Sequence, residues 1–423
     1  MVTGATQLKY TRPREAILCA SAHRLCSNSR GHLQRSMKIR QGYKFKLRPN
    51  CAAEAAMFRM VGSCRFVWNK MLALNLARLN RGQRTLHWVA MANLLPTMKR
   101  VWPWLATDTY SHNLQQVCKR LAEAFKKTFT KGTTHSGRKP RFKRRGQVCS
   151  ARFPVALRVD GNRIRIPKIG WVRFRKSREI KGTLKNITIR KECMGWFISI
   201  QVEQDVDQPV HPSTSSIGID LGIAKFAALS DGTFIESINA FRAHEEQLAK
   251  AQRRLSRKKR SSNNWKKQKR IVSRIQHRIG NIRRDFLHKA SATISNSHAI
   301  VCVEDLKISS MSRSAKGTVE NPGKSVKAKS GLNKSILDQG WGMFREFLAY
   351  KLAWSGGQLV AVPAAYTSQR CSQCEHVAKE NRKLQSRFEC VQCGYKSNAD
   401  TNAAINILRA GQALCGAGTL VPA

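Results

Sequence analysis

Two cysteine pairs, Cys371-x-x-Cys374 and Cys390-x-x-Cys393, stand fifteen residues apart and constrain this chain more than any other feature. Each C-x-x-C turn presents two thiolates on one tight knuckle. Two knuckles complete a tetrahedral sulfur cage that suits Zn2+. Four protein sulfurs leave no open position, so the ion expected on Cys371, Cys374, Cys390 and Cys393 is structural. A redox dithiol is the other use of such a pair. The remaining nine of the 13 cysteines are scattered singly, and the total is odd. A disulfide framework does not fit so long a chain with a leftover thiol, which points to a reducing compartment.

Charge narrows the partners. Lys and Arg number 77 against 25 Asp and Glu, a net charge of +52. Such a surface repels itself unless a polyanion screens it, and a long nucleic acid is the polyanion expected. Hydrophobic residues make up 42%, which excludes wholesale disorder. No apolar run approaches the ~20 residues of a membrane helix, so no membrane partner is expected. Residues 131–146 hold seven Lys/Arg and no acid. There Arg138, Lys139, Arg141, Lys143, Arg144 and Arg145 surround Phe142, a pattern suited to phosphate contact with base stacking. Residues 251–289 hold fifteen Lys/Arg against one Asp, too lopsided for a merely solvated face. Arg253, Arg254, Lys258, Lys259 and Arg260 are the candidates for phosphate contact in that stretch.

The apolar pattern divides the chain. Residues 1–36, Arg- and Ser-rich with one acid, read as a disordered extension or, less simply, an organellar presequence. Tyr43, Phe45 and Leu47 alternate with lysines and predict a half-buried strand. Over 51–130 the period turns helical. Phe58, Val61, Trp68 and Leu72 mark one helix. Another starts at the candidate N-cap Ser111 and sets Leu114, Val117, Leu121 and Phe125 on one face. From about 150 to 203, short alternating strands with Gly turns predict a small barrel or sandwich. The strand at 43–47 would join it, making the helices an insertion. SIGIDLG and KFAALSDGTF then predict a buried strand and a hairpin. Val272, Ile275, Ile279, Ile282 and Phe286 form a coiled-coil-like seam, and the polar break at 261–264 predicts either a helical hairpin or a broken helix. AIVCV at 299–303 is a buried strand type. Residues 309–335 lack periodicity and read as a mobile loop. A helix with Trp341, Phe344, Phe347 and Leu348, a strand at 358–362 and a last helix opening at Asp400 complete the chain.

In a chain so poor in acids, three stand out. Asp220 lies in the buried IGIDLG strand, Glu304 directly follows AIVCV, and Asp400 sits at a helix start. Converging carboxylates hold Mg2+, and two ions ~4 Å apart can clamp the attacking and leaving oxygens of a phosphodiester. The spacing permits convergence without requiring it. Taken singly each acid also suits a cap or a salt bridge, and Asp400 is a good N-cap candidate.

The series SIGIDLGIAKFAALSDG, IVCVEDL, YTSQRCSQC…FECVQCG and NADTNAAINI, in this order, resembles TnpB, the transposon-encoded RNA-guided nuclease family. The likeness is specific over the last 210 residues or so and loose before them. It implies a multidomain α+β chain. A β-barrel wedge domain (37–50 plus 149–210) would carry an inserted helical recognition lobe (51–148). An RNase H-like (RuvC) nuclease domain (211–370 plus 394–410) would follow, interrupted by a zinc ribbon (371–393), with a tail at 411–423. The resemblance maps the catalytic acids onto Asp220, Glu304 and Asp400, with Asp220 bridging two Mg2+ ions, and the zinc ligands onto the four paired cysteines. It further implies a guide RNA, one protein chain per RNA, a double-stranded DNA target beside a short flanking motif, and a prokaryotic cytoplasm with the nucleoid as the site of action. Asn398 stands where many relatives carry a second acid, and Glu375 where they carry Gly. A nuclease-inactive RNA-guided repressor and a transposase are the competing functions; the intact acid triad weighs against the first, and the lack of a tyrosine or serine recombinase signature against the second.

Overall fold

The computed structural model describes residues 36–130, 137–145, 150–154, 158–207 and 209–416. The expected extension, apart from Ser36, lies outside these residues, as do parts of the basic loop and the end of the tail. Among the described residues no helix is long and apolar enough to cross a membrane.

The described part of the chain opens with β1 (Ser36–Arg48), which carries the alternation of Tyr43, Phe45 and Leu47. Its inward residues Tyr43, Phe45 and Leu47 are buried between exposed basic neighbours. Asn50 then caps α1 (Cys51–Asn80), accepting the Ala53 amide at 2.8 Å. The packed face of α1 steps through Met57, Met60, Val61, Cys64, Val67, Trp68 and Met71. Phe58 falls one residue, about 100°, off this stripe. Contrary to expectation it is 51% exposed, meeting Trp196 edge-on with Lys191 Nζ 5.2 Å from its ring centroid. The short helices α2 (Trp88–Asn93), α3 (Leu95–Val101) and α4 (Trp104–Asp108) lead to α5 (Ser111–Phe129). Here Leu114, Val117, Leu121 and Phe125 are buried as expected. Ser111 is not the cap: it is the first helical residue, and its hydroxyl accepts from Lys99 Nζ at 2.7 Å.

Next come β2 (Ser150–Phe153), β3 (Arg158–Asp160), β4 (Arg163–Ile166), β5 (Gly170–Phe174), β6 (Thr183–Glu192) and β7 (Gly195–Asp207). With β1 they form an antiparallel sheet in the order β2-β6-β7-β1-β5-β4-β3. β1 pairs with β7 from Ser36↔Asp207 to Lys46↔Phe197, then changes partner to β5 at Leu47↔Phe174. The helices thus lie between β1 and β2 in the chain, as expected of an insertion, yet they share one continuous hydrophobic core with the sheet. Trp196 joins the two by donating its Nε1–H to Glu54 on α1 at 3.0 Å.

The second half begins with β8 (Ser216–Leu221), β9 (Lys225–Leu229) and β10 (Phe234–Glu236), an antiparallel meander. The helices α6 (Ala240–Ser256) and α7 (Asn263–Ser297) form the expected hairpin, closed by Leu248, Ala251, Val272, Ile275 and Ile279. The upper end of the α7 seam serves the sheet instead: Phe286 meets Phe226 of β9 edge-on at 5.0 Å. β11 (Ile300–Glu304), α8 (Ile308–Met311), α9 (Val326–Gln339), α10 (Trp341–Ser355) and β12 (Gln358–Val362) follow. Helix α9 occupies much of the stretch expected to be a mobile loop. It buries only Ile336, Asp338 and Gln339, all at its C-terminal end, so no apolar stripe betrays it in the sequence. β13 (Arg387–Glu389) and β14 (Lys396–Asn398) pair around the second cysteine knuckle, and α11 (Ala399–Gly416) ends the described chain. Residues 411–416, expected in a tail, are the last turns of α11.

The second sheet has the order β10-β9-β8-β11-β12, with β11 parallel to both β8 and β12. Odd-numbered residues of its central strands (Ile217, Ile219, Val301, Val303) pack against Leu287 and Ile294 of α7 and Phe344 and Leu348 of α10. Even-numbered residues therefore face the opposite side. Helix α11 covers that side, with Ile407 packed on Cys302, Val360 and Val362. Gly218 makes this approach possible: a Cβ there would collide with the Ala404 carbonyl oxygen and the Leu408 amide. Gly411 does the same from the helix side, where a Cβ would strike the Cys302 sulfur.

Candidate metal centres

The strand parity that sends Gly218 and Cys302 toward α11 sends Asp220 and Glu304 there too. The parallel register Ile219↔Val303 sets Asp220 beside Glu304 at the C-terminal ends of β8 and β11. Asp400 enters from the first turn of α11. It does not cap the helix. Asn398 does that, its Oδ1 accepting the amides of Asp400 at 3.0 Å and Thr401 at 3.3 Å.

The three acids feel one another. Burial, and then the carboxylates of Glu304 and Asp400, push Asp220 up to about 7, against the pull of Arg382 and the Leu221 amide. Burial raises Glu304 as well, opposed by a 2.6 Å hydrogen bond donated by the Thr367 hydroxyl. Arg382 Nη2 donates to Asp400 Oδ1 at 3.1 Å. These carboxylates remain further apart than the cysteines. Among the described residues, the four cysteines are the one group of three or more His, Cys, Asp or Glu whose ligand atoms all lie within 4.8 Å of one another.

The two cysteine knuckles have the same hydrogen-bond plan. The Cys371 carbonyl accepts the Glu375 amide and the Cys390 carbonyl the Gly394 amide, both at 3.0 Å. The Cys371 amide donates to His376 and the Cys390 amide to Tyr395, both at 2.9 Å. Across the cage, Cys371 and Cys393 sulfurs stand 3.7 Å apart, and Cys374 and Cys390 sulfurs 3.5 Å. A tetrahedron with metal–sulfur bonds of about 2.3 Å has edges of about 3.8 Å, so the donor set fits a tetrahedral thiophilic ion. These cysteines could hold such a metal.

Two buried asparagines tie the knuckles to the acids. Asn402 of α11 accepts the Ser372 amide at 3.0 Å and donates to the Arg370 carbonyl at 2.8 Å. One turn later Asn406 donates to the carbonyls of Thr367 (2.9 Å) and Arg370 (2.7 Å). Thr367, Arg382, Asn402 and Asn406 were not singled out from the sequence. The signal for the asparagines was available in NADTNAAINI: amides four residues apart inside an apolar helix must find buried partners. Thr367 and Arg382 carry no such local mark.

The basic candidates divide by exposure. In the loop, Arg138, Lys139, Arg141, Arg144 and Arg145 are exposed, whereas Lys143 is half-buried, its Nζ 3.6 Å from the centroid of the Trp68 ring. The loop backbone is docked on α1. Trp68 Nε1 donates to the Arg141 carbonyl at 3.1 Å, and Asn69 both donates to and accepts from the Lys143 backbone at 3.0 and 2.8 Å. In the second cluster Arg253, Arg254, Lys259 and Arg260 are exposed at the tip of the α6–α7 hairpin, and Lys258 is half-buried.

The chain is 49% identical, over 91% of its length and 96% of the relative's, to a protein of Escherichia coli (strain K12) named as the RNA-guided DNA endonuclease InsQ. The chain belongs to the TnpB family. A second relative of that description, from Streptomyces pristinaespiralis, is 30% identical over 90% of this chain and 92% of its own. The OrfB family model described as "Probable transposase" matches residues 199–315, and the "Cas12f1-like, TNB domain" model matches 341–407. A model described as "Helix-turn-helix domain" matches 37–84, where this TnpB-family chain folds as β1 and one long helix. Among solved structures, that of a Cas12f1–sgRNA–target DNA complex is similar, with a TM-score of 0.45, 15% identity and coverage of 84% of this chain and 82% of that one.

Proposed function

We propose that the chain is an RNA-guided DNA endonuclease that hydrolyses target phosphodiesters at Asp220, Glu304 and Asp400. The observation that carries this reading is the convergence of three carboxylates on one covered face of the second sheet, in a protein whose net charge is +52. The relatives' names, at up to 49% identity over most of both chains, agree with it. The five-stranded sheet, in which β8, β9 and β10 pair antiparallel and β11 lies parallel to both β8 and β12, serves as an RNase H-like nuclease core. The seven-stranded sheet serves as the wedge barrel, and α1–α5 as its recognition lobe. Guide RNA and double-stranded target DNA are the polyanions that the basic surface meets, and base pairing with the guide selects the target. The reaction belongs in a bacterial cytoplasm, at the nucleoid.

Three half-buried carboxylates suit Mg2+, and a dication there would relieve their mutual repulsion. Bound there, a pair of Mg2+ ions supplies Lewis-acid activation of water and stabilisation of the leaving oxygen. Asp220, the most deeply placed of the three acids, would hold the metal together with Glu304 and Asp400. Glu304 presents a carboxylate whose rotamer is held by the Thr367 hydroxyl. Asp400 is brought in by the Asn398-capped first turn of α11. Arg382 holds Asp400 and adds a fixed cation where the scissile phosphate must lie. Zn2+ on the four cysteines keeps the ribbon folded and so keeps Arg382 in reach.

The test is cleavage by the protein–RNA complex with guides matched and mismatched to a DNA duplex, in Mg2+ and in EDTA. Cleavage that needs both the match and the ion supports the reading. Equal cutting of mismatched duplexes would remove the guided element, and full cutting in EDTA would remove the metal.

A further inference from the structure

A short loop joins β12 to the turn that leads into the ribbon, and both of its ends are fixed beside Glu304. Val362, before it, is the register partner of Glu304, and its carbonyl accepts the Asp305 amide at 2.8 Å. Thr367, after it, is buried and donates its hydroxyl to Glu304 at 2.6 Å. Between them Pro363, Ala364, Ala365 and Tyr366 are all exposed. Tyr366 is 63% exposed and has φ +62°. A bulky side chain in the left-handed region strains the backbone, because its Cβ crowds the following carbonyl. Such strain persists only where the surroundings fix it. They do so here. The Tyr366 carbonyl accepts the amides of Gln369 and Arg370, both at 3.0 Å, and Asn406 of α11 holds the carbonyls of Thr367 and Arg370. Glycine adopts this φ without strain. Burial does not explain why a ring stands there instead, because the ring lies in solvent.

We infer that Tyr366 is the platform for one nucleobase of the strand being cut, the base next to the scissile phosphate. The inference rests on the proposed function and adds to it a residue that selects the substrate. Successive Cα atoms are ~3.8 Å apart, and a threonine hydroxyl stands about 2.4 Å from its own Cα. Through the Thr367 bond, Tyr366 Cα therefore lies no more than about 9 Å from the Glu304 carboxylate. One nucleotide spans that gap, with its phosphate at the carboxylates and its base on the ring. Pro363, Ala364 and Ala365 offer neither an aromatic face nor a polar group, so Tyr366 alone gives the loop something to hold a base with. Every base has a π face, so an aromatic ring captures one without reading its identity, provided that the base has left its stack. The platform thus selects a strand unpaired at the cut, while pairing with the guide chooses the target.

The test uses the protein–RNA complex and a matched DNA duplex whose cut strand carries one abasic nucleotide, moved stepwise through the cleavage region. Wild type should lose roughly tenfold or more in cleavage rate when the missing base is the one that stacks. Tyr366→Ala should be slower than wild type by about the same factor on the intact duplex, and should lose nothing further at that abasic position. Tyr366→Phe should keep most of the wild-type rate and its abasic profile, because the ring and not the hydroxyl does the stacking. Tyr366→Gly, which removes the strain along with the ring, should cut as slowly as Tyr366→Ala. In all three variants the Mg2+ concentration for half-maximal rate and the zinc content should stay as in wild type. A Tyr366→Ala enzyme whose abasic profile matches wild type would overturn the inference. So would a Tyr366→Ala defect that Tyr366→Gly corrects, since the residue would then serve only the backbone that carries Thr367. Wild type that fails to cut the intact matched duplex would sink the guided function and the platform with it. A flat abasic profile in a wild type that does cut would remove the platform alone.

Discussion

The cysteine cluster and the carboxylate cluster lie side by side in space but are assembled in different ways. The cysteines come from 23 consecutive residues, Cys371 to Cys393, and two local turns of identical hydrogen-bond plan aim them at one point. The acids come from two strands and a helix spread between Asp220 and Asp400, and only the sheet register and the Gly218 gap bring them near. The sulfurs stand at cage distance. The carboxylates stand further apart, and burial, with their mutual repulsion added, lifts Asp220 to about 7. One cluster is therefore part of what folds the chain. The other is a load on the fold that the proposed chemistry would require.

The largest expected effect breaks the first of these. Cys371→Ser with Cys374→Ser should release one Zn2+ per chain and unfold the ribbon, since a structural zinc contributes ~10–16 kcal/mol locally. Because Asn402 and Asn406 bind the ribbon backbone to α11, cleavage should fail along with zinc content, while the first sheet and α1–α5 stay folded. Metal analysis together with proteolysis from the C-terminal side checks this. A zinc-free wild type with an intact ribbon would contradict it.

The carboxylates should respond in the opposite sense. Asp220→Asn should abolish cleavage yet stabilise the metal-free chain at pH 8 by up to about 4 kcal/mol, the worth of a shift of about three units at ~1.36 kcal/mol each. Since the folded value is raised, the native chain binds the extra proton. The protonated acid's contribution is fully present below the model value of 3.8 and is lost as pH rises through about 7. Metal-free wild type should thus lose melting temperature between those limits, and Mg2+ should restore it at pH 8 but not at pH 5. Thermal melts at both pH values, with and without Mg2+, make the measurement. An identical pH profile in Asp220→Asn would show that another group sets it.

A smaller effect tests the link between the clusters. Thr367→Val keeps shape but removes the hydroxyl on Glu304. Loss of such a supporting bond typically costs ~10–100-fold in metal affinity or activity. Mg2+ titration of the cleavage rate should shift by that amount with zinc content unchanged. A shift in zinc content instead would mean that Thr367 serves the ribbon.

The difference between the clusters also governs what the sequence could reveal. The cysteine cage is local, so C-x-x-C spacing alone predicted it. The acids were visible as acids in apolar company, but their convergence depends on the even parity of Asp220 and Glu304 and on glycines that admit α11, which no single segment declares. Asp400 reads as a cap, and the true cap is Asn398, two residues earlier. Thr367 and Arg382 act only across the fold and had no sequence mark. Helix α9 was missed because an exposed helix leaves no apolar period, and Phe58 was misplaced by one residue of helical phase.

The smallest effect lies within the cysteine cluster. Its two knuckles share a plan, but where the second has Gly394 at φ +72°, the first has Glu375 at φ +65°. A side chain in that left-handed region costs about 1–2 kcal/mol. Glu375→Gly relieves this but frees the unfolded chain, which takes back about 0.4–1 kcal/mol. The net expectation is a ribbon about 0.5–1 kcal/mol more stable, read as slower zinc loss to a chelator. Glu375→Ala is the necessary control, because the substitution also removes a negative charge beside four thiolates. Alanine loses the charge and keeps the strained backbone. If alanine slows zinc loss as much as glycine does, repulsion between Glu375 and the sulfurs is the cause. If only glycine does, the backbone is, and the two knuckles differ by conformational strain alone.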